Sequence, residues 1–108
     1  MTTIPEIASH ENMTEHYLRL NVESGNQPCG SIDFISEKIN FNISGRYFFK
    51  GMVAIKDIQL EYRDGKLIFI FKNKKNLVFS CSLEEFEKVS THIKSYANED
   101  SNRELFNN

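Results

Sequence analysis

Tryptophan is absent from this chain, cysteine and proline occur twice each, and glycine only five times in 108 residues. Cys29 and Cys81 lie far apart with no C-x-x-C spacing, so neither a disulfide framework nor a structural zinc site has support. Both are expected to be free thiols, Cys81 half-buried. No apolar run reaches the roughly 18 residues that would span a bilayer. Residues 1–12 carry acidic and polar side chains where a secretion leader needs an apolar stretch, so a cytoplasmic location is expected. On that expectation Asn12-Met13-Thr14 and Asn42-Ile43-Ser44 match the glycosylation sequon by chance. Gly45, Gly51 and Gly65 are isolated, and no G-x-G-x-x-G or G-K-[ST] occurs to cradle a phosphate.

Chemistry-bearing side chains are equally sparse. His10, His16 and His92 show no metal-ligand spacing. Cys81 and His92 are the least implausible nucleophile and base, but the rise of the helix expected between them separates them by roughly 15 Å, beyond hydrogen-bonding reach. No catalytic residue, metal site or cofactor is expected, and the chain does not read as an enzyme.

What is present is a folding sequence. Hydrophobic residues make up 40% of the chain and include nine Phe and four Tyr, enough for one self-supporting soluble domain that buries roughly two thirds of its unfolded surface. Residues 1–15 lack sustained periodicity and are expected to form a flexible arm; 16–98 form the domain; the polar 99–108 form a flexible tail. Leu18, Leu20 and Val22 alternate with polar residues, as do Ile39, Phe41 and Ile43, which marks two strands. Residues 31–37 fit either a strand or a helical face, with strand favoured. Residues 46–56 suggest an extended segment bent at Gly51, of undetermined register.

From residue 58 the pattern is firmer. Asp64-Gly65 is a two-residue hairpin signal that pairs Arg63 with Lys66, and counting outward sets Tyr62 opposite Leu67, Leu60 opposite Phe69 and Ile58 opposite Phe71. Leu67 to Phe71 is apolar on both faces and belongs inside the sheet, with Leu77 to Cys81 as its other neighbour. Ser82 and Glu85 form a capping box, Cys81 and Phe86 a hydrophobic staple, and Leu83, Phe86, Val89, Ile93, Tyr96 and Ala97 one helical stripe ending near Asn98.

The fold class is therefore α+β: a single domain with a twisted antiparallel sheet and one C-terminal amphipathic helix packed on it. About seven strands followed by one helix resembles, in element order, the pleckstrin-homology-like domains, which are curled sheets or partial barrels capped by a helix. The resemblance implies that architecture. The helix lacks the tryptophan typical of classical members and no early hairpin carries a basic signature, so no ligand follows from it.

Charge is unevenly distributed along a chain of net −2. Residues 46–75 hold eight basic and three acidic side chains, a net of +5, between acidic flanks. The simpler account is compensation by those flanks in three dimensions. Within the block, Arg46 and Lys50 interleave with Tyr47, Phe48 and Phe49, and Lys72, Lys74 and Lys75 cluster in one loop. These five basic residues are the candidate partner-binding positions. The leading functional expectation is a small non-catalytic protein-interaction module, an adaptor, inhibitor or immunity-type protein, acting through a sheet edge or surface, with a homodimer as one outcome. The alternative is a binder of acidic lipid headgroups or nucleic acid through the lysine loop.

Overall fold

Asp64 and Gly65 both adopt positive φ, 53° and 72°, the type I′ geometry whose twist matches the strands it joins. The computed structural model, which describes residues 4–11, 13–14, 16–45, 48–72 and 74–107, accordingly pairs β6 (Ile58–Arg63) with β7 (Lys66–Phe71) in the register expected. β8 (Leu77–Ser80) adds antiparallel to β7, with Leu67 opposite Phe79. Leu67, Phe69 and Phe71 are buried on the core face while Ile68 and Ile70 are half-buried on the other.

The N-terminal half is a meander of β2 (Tyr17–Ser24), β3 (Gln27–Ile35), β4 (Lys38–Ile43) and β5 (Phe49–Ala54). Gly25 and Asn26 turn β2 into β3 with φ of 57° and 67°, a second type I′ hairpin. The ambiguous residues 31–35 are strand. Gly30 has φ +147° and faces β4 so closely that a Cβ there would lie 2.0 Å from the Asn42 carbonyl oxygen, which leaves no room for a side chain.

Two expectations need correction. Residues expected to be an arm include β1 (Glu6–Glu11), which lies in the middle of the sheet. It is antiparallel to β2 and parallel to β8, with Ser80 N–H donating to the Pro5 carbonyl at 2.9 Å. The sheet is therefore mixed, eight-stranded, and ordered β5-β4-β3-β2-β1-β8-β7-β6. β5 and β6 do not pair with each other, so it is not closed into a barrel.

The curled sheet folds its two halves onto one core. Phe41 of β4 meets Phe69 of β7 edge-to-face, ring centres 5.2 Å apart, and Phe71 at 5.9 Å; Phe34 of β3 lies 6.4 Å from Phe69. Such ring pairs add about 0.5–1.5 kcal/mol each beyond area burial. Leu18, Leu20, Ile32, Ile39 and Ile43 fill the space around them and are fully buried.

α1 (Leu83–Asn107) closes the order of elements. It runs beyond the expected stop at Asn98, where no proline or glycine interrupts it. Half of the expected capping box forms: Ser82 Oγ accepts from Glu85 N–H at 3.2 Å. The Glu85 carboxylate turns instead to His10 on β1, Nδ1 lying 3.0 Å from both oxygens, so an imidazole N–H takes the place of the backbone donor. Val89 is buried as expected, but Leu83 is 59% exposed because it precedes the face that meets the sheet. His92, about one turn beyond Val89, is buried as well. The side chain of Ala97 lies outside the described residues.

Candidate functional site

β5 and the residue before it bring Phe48, Phe49 and Lys50 to one end of the curled sheet. Alternation turns Phe49 inward, where its ring stacks on Phe71 at 5.5 Å and meets Phe41 edge-to-face at 5.2 Å. Lys50 and Phe48 point to solvent, Phe48 65% exposed, with Lys50 Nζ 5.5 Å from the Phe48 ring centre. From the other half of the sheet, the segment after β7 arrives at the same place: Lys74 Nζ lies 5.7 Å from the Phe49 ring centre. Lys72 and Lys75 flank it, both exposed, and Lys72 shares a groove with Lys56, Asp57, Ile58 and Ile70.

Four of the five candidate residues thus share one end of the molecule, Lys50 joined to the loop lysines through Phe49. The fifth, Arg46, lies outside the described residues, as does Tyr47. Among the described residues none of Lys50, Lys72, Lys74 and Lys75 has a carboxylate within ion-pair distance. The ion pairs formed by described residues lie elsewhere: His10 with Glu85, Arg19 with Asp33, Arg63 with Glu61, and Lys88 with Glu84. Among the described residues no ion pair compensates this end, and Asp57 is the acidic side chain in the groove with Lys72. Two of its ammonium groups rest on aromatic rings instead, a weak attraction that leaves their charge available.

The outer edges of the sheet differ from one another. β6 directs Gln59, Glu61 and Arg63 away from the core, all exposed. β5 directs Lys50, Met52 and Ala54 outward, with Met52 56% exposed and a single charge along the strand. Sequence reasoning did not single out Met52 or the exposure of Phe48, because the register of 46–56 could not be fixed without the pairing to β4.

A third grouping also went unnoticed. Asp33 faces away from the core yet is only 6% exposed. Arg19 Nε donates to its Oδ1 at 2.7 Å, an Arg19 terminal nitrogen to Oδ2 at 3.2 Å, and Tyr17 hydroxyl to Oδ1 at 3.3 Å. The carboxylate holds the Arg19 guanidinium pKa above its ordinary value, by hydrogen bonding first and charge second. Directly opposite positions on β2 and β3 create this pair, but counting outward from the Gly25-Asn26 turn alone would set Arg19 opposite Ile32; a register shift between Val22 and Glu23, which the sequence does not announce, brings Asp33 there instead. Its donors and acceptors satisfy each other, which marks it as structural.

A second concavity is an open cavity of about 420 Å³ between α1 and the start of β2, lined by Met13, Leu18, Glu84, Lys88, His92 and Ser95 among others. His92 Nε2 donates to the Ser36 carbonyl at 2.8 Å. Burial lowers its pKa, the Ser36 bond opposing and the charge of His16 assisting. Both cysteines are free. Burial, then the nearby Glu85 charge, pushes the Cys81 thiol up to about 11, and its Sγ–H donates to the Ser82 carbonyl. Among the described residues no group of three His, Cys, Asp or Glu side chains is placed to hold a metal ion. No helix among them is long and apolar enough to cross a membrane. No family model matches the chain, and neither a curated protein nor a solved structure matches it.

Proposed function

We propose that this protein is a non-catalytic interaction module that adds an extended segment of a partner protein to its free β5 edge. The observation that carries this reading is the contrast between the two outermost strands. β6 presents Gln59, Glu61 and Arg63, the charged edge by which sheets avoid unwanted pairing. β5 presents one lysine, Met52 and Ala54 beside main-chain groups that pair with no further strand among the described residues, which suits strand addition with side-chain specificity at alternate positions.

The non-catalytic part is supported by the state of the reactive groups. A thiol titrating at about 11 is protonated at neutral pH and is a poor nucleophile. His92 is held by a backbone carbonyl rather than poised against an acidic proton. The pleckstrin-homology-like element order enters this reading as a scaffold similarity, and a cytoplasmic setting belongs to the same proposal. A second copy of the chain is one admissible partner for the edge.

Peptide display against the purified protein, followed by amide chemical-shift mapping, tests the reading. Selected peptides should perturb amides of residues 49–54, and Met52→Lys should weaken them by about tenfold or more while Gln59→Lys leaves them unchanged. Peptides that map to β6, or that bind Met52→Lys as well as wild type, would sink it.

A further inference from the structure

Lys50, Lys72, Lys74 and Lys75 carry four positive charges at one end of a chain whose net charge is −2, so the remainder carries −6. This segregation is held by the fold, since Lys74 reaches the Phe49 ring across the two halves of the sheet. Beside the lysines stands Phe48, a large apolar ring left 65% exposed just before β5, with Lys50 drawn over it. We propose that this end is a docking tip for an anionic membrane surface, with the lysines attracted to acidic headgroups and Phe48 entering the interfacial layer.

Two signals are present, and peripheral binding needs two, because either a short apolar insertion or a basic patch alone gives marginal residence. The acidic remainder does not oppose the contact. The molecule extends 51 × 30 × 26 Å, whereas repulsion between exposed charges is screened over about 8 Å at physiological ionic strength. A surface touched by the tip therefore meets its lysines rather than the net charge. A single-stranded nucleic acid fits less well, because such a strand needs successive rings to stack on. Phe49 is packed against Phe41 and Phe71, which leaves Phe48 as the exposed ring among the described residues of this end. The proposal is separate from strand addition at β5 and uses different partners and variants.

Flotation of the 108-residue chain with phosphatidylcholine vesicles, with and without phosphatidylserine, is the test. The protein should float only with phosphatidylserine and be released by high salt. Lys74→Glu should weaken association by about fivefold or more, in line with the attraction per basic residue near an anionic surface. Phe48→Ser should weaken it by about tenfold through lost apolar burial. Both positions are exposed or at a loop, so urea midpoints should stay near wild type, which separates lost docking from lost folding. Lys94→Glu, an exposed position on α1, is the control and should float like wild type. Failure to float with phosphatidylserine vesicles would overturn the proposal, as would equal weakening by Lys94→Glu. Tighter binding to an oligothymidylate than to the vesicles would also overturn it and favour nucleic acid.

Discussion

Tyr62 of β6 lies flat on Phe86 of α1, ring centres 4.5 Å apart and planes 11° from parallel. Its hydroxyl donates to the Cys81 carbonyl at 2.8 Å, and Cys81 N–H in turn donates to Gly65 at 2.9 Å. The hairpin turn, the end of β8 and the first turn of α1 are thus fastened at one point. Tyr62→Phe should keep the stack and lose the hydroxyl bond, destabilising by about 1 kcal/mol. Tyr62→Leu should lose roughly another 1 kcal/mol with the ring pair. Urea denaturation of the two variants, read as a shift in midpoint at constant slope, checks both values.

Gly30 and Gly25 make a matched pair of backbone tests. Alanine at Gly25 meets open space and bears only the left-handed penalty, about 1–2 kcal/mol. Alanine at Gly30 must displace the Asn42 carbonyl, 2.0 Å from its Cβ, and part β3 from β4. Gly30→Ala should therefore lower the thermal midpoint much further than Gly25→Ala. Equal losses would mean that β3 and β4 do not approach as described.

His92 should make stability depend on pH. Its folded pKa lies below the ordinary imidazole value, so between that value and about 6.5 the unfolded chain binds the proton and the folded chain does not. Its contribution to stability is present above about pH 6.5 and is lost as pH falls through the window below. Urea midpoints should decline from neutral to mildly acidic pH, and His92→Gln should flatten that decline. An unchanged slope in His92→Gln would assign the dependence to another group.

β1 supplies a sharper test of the architecture. Ile7 is 6% exposed and faces the core, so Ile7→Asp should abolish cooperative folding by placing a carboxylate there. Removal of residues 1–11 should do the same, because β2 and β8 would lose their common neighbour. A truncated chain that melts cooperatively at the wild-type temperature would contradict the sheet order.

The hairpin of β6 and β7 was legible because its information is local: two turn residues fix every pair by counting. β1 was not, for two reasons that lie in its own residues. A register shift between Ile7 and Ser9 breaks the two-residue period, and its parallel partner β8 lies about two thirds of the chain away. The error then propagated to the helix, since the Glu85 carboxylate bonds His10, a residue whose position depends on β1. At the candidate site the lysine loop was legible as composition. Its convergence with Phe48 and Phe49 was not, because only the curl of the sheet brings β5 and the end of β7 together, and only the fold shows where the acidic flanks go.

The parallel joint between β1 and β8 also bears on how the chain comes to be folded. Every other pairing in the sheet links strands adjacent in sequence and can form as a hairpin, with little chain to bring together. The joint at Glu6 and Ser80 must instead bring together strands at opposite ends of the sheet-forming sequence. Two meanders can thus take shape independently, but a common core awaits the emergence of β8. During synthesis the first strand made has one side unsatisfied until the last strand arrives to cover it.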